Sequence, residues 1–133
     1  MSQDWYADVL EFHKKFGCAI GSTPAAPYSR TAALRARLIR EEIDETVAAI
    51  KAGDLAGVAD GIADSIYVLL GTAIAYGIDV RPVFDAVHRA NLSKSQEKRG
   101  DGKVLKGPSF TPPDVAGVLA RQGPIIDNPP AGD

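Results

Sequence analysis

The chain has 133 residues, 45% of them hydrophobic and 24% charged, with a net charge of −2. That length and balance allow one domain with a real core, and offer no global excess of charge for nucleic acid or another polyanion. The single cysteine, Cys18, excludes an intrachain disulfide framework and fits a reducing, cytoplasmic setting. With no second cysteine at zinc spacing, it reads as a buried or idle thiol.

The N-terminal run MSQDWYADVL carries acids and aromatics where a secretory signal needs a basic start and an apolar stretch. A first helix is expected from about Gln3 to Gly17, with Val9, Leu10, Phe12, His13 and Phe16 as inward candidates. GSTPAAPYS (21–29) is a linker, marked by Gly21, Pro24 and Pro27. A long second helix runs from Ser29 or Thr31 to Ala52, where Gly53 ends it and Asp54 caps the next. The third helix runs to Tyr76 and stops at Gly77. From Ile62 to Ile78 its only charge is Asp64. That run is shorter than the roughly 20 residues that span a bilayer and lacks basic flanks, so it reads as a buried core helix and not as a membrane segment. Asp79 caps a fourth helix, with Pro82 in its first turns, that reaches about Ser95. KRGDGKVLKGPSFTPPD is turn-rich, a short helix follows near 114–121, and the tail from 123 to 133 reads as flexible. No stretch alternates as a strand. The expected class is all-α, with a single domain over 1–122.

One stretch resists this tidy reading. EEIDE (41–45) puts four carboxylates into five residues, and like charges three or four positions apart on a helix repel. On a helical wheel Ile39, Ile43, Val47 and Ile50 form one apolar arc. Arg37, Arg40, Asp44 and Lys51 form a solvent arc. A third stripe begins with Leu34 and Leu38 and continues with Glu41, Glu42 and Glu45. Glu42 and Glu45 therefore stand where the pattern asks for apolar side chains. The third helix repeats the anomaly: Asp64 lies among Ile62, Ala63, Ile66, Val68 and Leu69, with Asp60 one turn earlier.

Folding the two helices back on each other about Gly53 brings these groups level. Glu45 lies eight residues before the turn and Asp60 seven after it; Glu42 and Asp64 each lie eleven away. Four inward carboxylates converge, and neither helix offers a basic residue on that face. A buried carboxylate needs a partner. The missing charge is most simply a hard divalent cation with oxygen ligands, Mg²⁺ or in its place Mn²⁺. The plainer alternative is a solvated glutamate face beside a satisfied core aspartate.

The residues FHKKFG (12–17), LRARLIREEIDE (34–45), ADGIADSIYVLLGTAIAYGID (59–79), FDAVHRANLSK (84–94) and GKVLKGPSF (102–110) together resemble the all-α nucleoside triphosphate pyrophosphohydrolases. The likeness is to the MazG-like, phosphoribosyl-ATP pyrophosphohydrolase-like branch, related to dimeric dUTPases. It implies a four- to five-helix bundle completed by oligomerisation as a homodimer or dimer of dimers. It also implies Mg²⁺-dependent hydrolysis of a (deoxy)nucleoside triphosphate to monophosphate and pyrophosphate, a nucleotide-pool house-cleaning reaction, or else phosphoribosyl-ATP as substrate. The family's Glu-x-x-Glu falls on Glu42 and Glu45, and its second-helix aspartate on Asp64. Many members carry glutamate three residues before that aspartate. Here the position is Gly61, and Asp60, sharing a face with Asp64, is the candidate substitute. Glu41 could orient or deprotonate the attacking water, or pair on the surface with Arg37. Asn91 and Lys94 match the family's Asn-x-Ser-Lys and imply phosphate or sugar contacts. Lys103 and Lys106 sit on a glycine-flanked loop that could close over substrate.

Two other classes compete. A di-iron carboxylate bundle needs Glu-x-x-His from two helices, and only Asp85-x-x-His88 approaches one. A non-catalytic helical dimer that binds a nucleotide or a protein would leave the carboxylates without a task.

Overall fold

The computed structural model describes residues 3–127. These form five α-helices and no strand: α1 (Trp5–Phe16), α2 (Ser29–Ala52), α3 (Leu55–Ala75), α4 (Val80–Leu92) and α5 (Val115–Ala120). They fall into two compact units. One runs to Asp79 and includes the segment from Gly123; the other is Val80–Gln122.

In the first unit α3 is the helix on which both α1 and α2 pack. The turn between α2 and α3 follows from two residues. Gly53 takes a left-handed conformation (φ 66°) that only glycine adopts without cost. The Asp54 side chain then accepts a hydrogen bond from Gly57 N at 3.0 Å and caps α3, an arrangement that stabilises a helix start by about 1 kcal/mol. Asp4 caps α1 in the same way through Ala7 N.

α3 is 21 residues long with a hydropathy of 1.5 over its most apolar window. It is thus longer than the apolar run counted from Ile62, and by length and composition it could cross a membrane. It carries Asp60 and Asp64, however, and pairs along α2, as a core helix does. The fully buried apolar residues of this unit are few: Tyr6, Val9, Ile20, Ile74 and Ala75. Polar ties supplement them. Tyr6 Oη donates to Ile78 O at 2.8 Å, fastening α1 to the end of α3. The linker is strapped to the same end by Gly21 N to Ile74 O and Ala25 N to Tyr76 O.

One expectation needs correction here. Phe12 and Phe16 are not inward; they are exposed, beside Tyr67, with ring centroids 4.6 Å and 5.6 Å from Phe12. The buried arc of α1 is Tyr6, Val9 and His13, and at 100° per residue Phe12 and Phe16 fall to its side. In the described part of the tail, Ile125 N donates to Ser22 O at 3.0 Å. The rest of the expected flexible tail, from 128, lies outside the described residues.

In the second unit α4 packs against α5, which Asp114 caps through Gly117 N. α4 stops at Leu92, three residues short of the expected end. Ser93 Oγ donates to Ala90 O at 2.6 Å and accepts from Thr111 N at 2.9 Å, diverting the chain into the loop. That loop closes on itself: Lys98 and Val104 form an isolated antiparallel bridge. Arg99 and Asp101 form a two-pronged ion pair at its tip.

His13 is a buried titratable group of this core. Its Nδ1 lies 2.9 Å from Ala19 O, and burial, opposed by that bond and aided by nearby Arg35, lowers its pKa from 6.5. A folded-state pKa below the unfolded one means that, below about pH 6.5, the unfolded chain takes up the proton first. Stability is therefore expected to fall as pH drops from 7 towards 5. His13→Gln should remove that component, so that thermal unfolding of the variant changes less across the interval than that of the wild type.

Candidate functional site

The α2–α3 hairpin places Glu41, Glu42, Glu45, Asp60 and Asp64 within electrostatic reach of one another. Glu42 is the centre of the group. Its Oε2 has no accessible surface and no hydrogen-bond partner. Its pKa is raised from the ordinary carboxylate value first by burial, then by Glu45, Asp64, Asp60 and Glu41 in that order. Every neighbour that shifts Glu42 is thus another carboxylate. Asp64 is half-buried, and Glu45 and Asp60 are exposed on the rim.

No lysine or arginine among the described residues pairs with Glu42, Glu45, Asp60 or Asp64. Glu41 has only a loose contact, 3.9 Å from Arg37 Nε one turn away on an exposed face; pairs of this kind contribute little. As the side chains stand, no three acidic, histidine or cysteine groups among the described residues converge on one point. Glu45 and Asp60 are exposed, whereas Glu42 and Asp64 are half-buried.

The floor beneath Glu42 is neutral and hydroxylic. Thr46 Oγ1 donates to Glu42 O at 2.7 Å and lies 3.3 Å from Ser65 Oγ. Since the threonine proton is committed to the carbonyl, Ser65 is the donor in the second bond. None of these groups offers Glu42 Oε2 a hydrogen. Oε2 thus has no partner within the protein, and carboxylate oxygens are the ligand type that a hard divalent cation takes.

The other sequence-predicted residues belong to the second unit. Asn91 is exposed in the last turn of α4, and its carbonyl accepts from Lys94 N at 3.1 Å. Lys94 is half-buried just beyond. Lys103 lies in the hairpin-like loop, with its amide bonded to Asp101 Oδ1. Lys106 Nζ sits 5.1 Å from the centre of the Phe110 ring, a cation–π contact that already gives this ammonium a partner. His88 is exposed on α4.

One residue of the site region was not singled out by sequence. Arg35 is buried in the middle of α2, with 8% of its surface accessible. It lies on the stripe Thr31, Arg35, Leu38, Glu42, at helical spacing, so the signal that exposed the glutamates also marks the arginine.

Comparison with known proteins identifies one family. The family model described as phosphoribosyl-ATP pyrophosphohydrolase matches residues 9–91, a span that holds all five carboxylates and ends at Asn91. No curated protein matches the chain.

The absence of a carboxylate at position 61 has a steric cause. Gly61 is buried where α3 crosses α2, and a Cβ there would collide with Thr46 Oγ1 and stand 3.0 Å from Thr46 Cα. The second contact is with backbone, so rotating the threonine does not relieve it. Gly61→Ala is expected to force the helices apart and lower stability by about 1–3 kcal/mol, measured by denaturant unfolding. Thr46→Ala in the same chain should recover only part of that loss.

Proposed function

Since the chain belongs to the phosphoribosyl-ATP pyrophosphohydrolase family, within the MazG-like all-α pyrophosphohydrolase superfamily, we propose that it is a Mg²⁺-dependent nucleotide hydrolase whose metal is held by Glu42, Glu45 and Asp64. The observation that carries this reading is the buried, unbonded Oε2 of Glu42 inside a ring of carboxylates with no cation. Asp60 is a fourth ligand candidate, in the place of the side chain that Gly61 lacks. Mn²⁺ is the expected substitute ion.

When bound, the metal would neutralise phosphate oxygens and lower the pKa of a water molecule. The protein's own contribution is positional. Glu42 and the half-buried Asp64 would hold the ion from the interior, with Glu45 and Asp60 turning in from the rim. Glu41, held only by its loose contact with Arg37, is available to orient or deprotonate the water. Asn91 and Lys94 keep the phosphate or sugar contacts that the resemblance gives them, and Lys103 and Lys106 are candidates to meet phosphate from their glycine-flanked loop. Lys106 would exchange its cation–π contact for an anion.

The substrate carries a triphosphate group and the product released is pyrophosphate. The family match puts phosphoribosyl-ATP first among candidates. Plain nucleoside and deoxynucleoside triphosphates, substrates of a house-cleaning enzyme, come second. Release of pyrophosphate from a panel of both, with Mg²⁺, Mn²⁺ or a chelator, decides the matter. Activity is expected only with a divalent ion. Glu45→Gln should lose more than about 100-fold, because even residues that merely support metal ligands contribute ~10–100-fold. Glu42→Gln should be inactive too, yet melt at a higher temperature than the wild type without metal, since it removes a carboxylate among carboxylates. Mg²⁺ should raise the melting temperature of the wild type and leave that variant unmoved. Equal metal stabilisation of both would remove Glu42 from the site.

The apolar surface supports a homodimer, or a dimer of dimers, in a cytoplasmic enzyme. On α2, Ile43, Val47 and Ile50 are exposed along one arc; on α3, Leu55, Ile62 and Leu69 are exposed at seven-residue spacing. Stripes of this length and period are interaction faces in soluble chains, and a self-complementary two-fold contact would cover both. Light scattering at micromolar concentration should give at least twice the 14.0 kDa mass of the chain. A stable, active monomer would refute the assembly.

A further inference from the structure

Away from the carboxylates, α1, α2 and α3 enclose a second cavity of about 390 Å³ in the first unit. Arg35 lines it and is nine-tenths buried. Its Nε donates to Thr72 Oγ1 at 3.1 Å and its Nη2 to Val68 O at 2.8 Å. These bonds occupy two of the five N–H donors of a guanidinium. No carboxylate among the described residues pairs with it.

Room has been made for this cation. Gly71 of α3 lies against it, and a Cβ there would stand 2.5 Å from Nη2 of Arg35 and 2.8 Å from Nε2 of His13. His13 is buried beside it and cannot neutralise it. With Nδ1 engaged at Ala19 O and its pKa lowered, the imidazole is uncharged. A buried charge with no counter-ion is costly unless something supplies one. Cys18 and Thr31 also line the cavity, and Phe12, Leu34, Leu38 and Tyr67 give it an apolar side. Phe12 and Tyr67 meet edge to face, with ring centroids 5.6 Å apart and planes at 89°.

We propose that this cavity is a binding site for a small aromatic monoanion, its carboxylate on Arg35 and its ring between Phe12, Tyr67, Leu34 and Leu38. The charge count sets the class. One guanidinium in apolar walls accommodates one negative charge, and a polyphosphate would bring unpaired charge against Leu34 and Leu38. The guanidinium fork matches a carboxylate in two-pronged geometry. The volume exceeds that of a two-ring acid and is within the range of small-molecule pockets. The site stands independently of the reaction assigned to the chain.

Isothermal titration calorimetry of the full chain with 2-naphthoate and with its neutral isostere 2-naphthamide tests the proposal. Naphthoate should bind and naphthamide should bind at least tenfold more weakly. Arg35→Gln should abolish the difference. Should that variant fail to fold, Leu38→Trp fills the cavity without touching the bonds of Arg35, and is expected to weaken naphthoate at least tenfold. Equal affinity for the acid and the amide, no binding of either, or naphthoate binding unaltered in Arg35→Gln or in Leu38→Trp would each overturn the proposal and leave Arg35 as a strut between α2 and α3.

Discussion

The distance between α2 and α3 governs the first unit, and two buried glycines of α3 set it. At Gly61 the helices come together closely enough that α3 meets the side chain and backbone of Thr46. At Gly71 the space left by the missing Cβ is taken by the guanidinium of Arg35 and the ring of His13. Between these two points lies the stretch of α2 that carries Leu38 and Glu42. Close approach strips water from whatever α2 presents there. For Leu38 that is favourable. For Glu42 it removes the hydration of a carboxylate oxygen and gives nothing back within the protein. A helix pair one methyl group further apart would let water reach Oε2 and relieve the site of its electrostatic tension.

The same closeness explains why so small a core suffices. Few apolar side chains are fully buried. The hairpin is fastened instead by hydrogen bonds across the tight contact: Thr46 to Ser65, and Arg35 to Thr72 and to Val68 O. The outer arcs of both helices remain apolar and uncovered. The fold thus spends its polar groups inward and its apolar groups outward along much of the hairpin, the reverse of an independent monomer.

Helix order, helix type and most boundaries were legible because punctuation residues carry them. Gly53, Asp54 and Asp114 act at the positions where the sequence places them. The anomalous stripe of α2 was legible because carboxylates at core spacing are conspicuous. The position of Phe12 and Phe16 was not, because α1 packs on one helix and the width of its buried arc depends on tertiary contacts. The end of α4 was missed for a similar reason: the bond from Thr111 to Ser93 joins residues far apart in sequence. Arg35 was passed over because an arginine among Arg37 and Arg40 reads as solvent-facing. Only the pairing with Gly71, thirty-six positions away, shows where it goes.

Arg35 and Glu42 then pose the question why α2 buries a cation and an anion on one stripe without joining them. Seven residues separate them, about 10 Å along the axis, beyond the reach of a hydrogen-bonded pair. Arg35 is not among the groups that shift Glu42, and no carboxylate acts on Arg35. Moving the arginine one turn nearer would pair it with Glu42, satisfy both and give a more stable hairpin. It would also set a guanidinium among the carboxylates and remove Arg35 from the cavity at Phe12 and Tyr67. Keeping the charges two turns apart leaves each with unfilled bonding capacity of opposite sign. Glu42 is left with an unbonded carboxylate oxygen, and Arg35 with N–H donors that the protein does not use. The separation leaves on one helix two buried groups of opposite charge, neither of which serves as partner to the other.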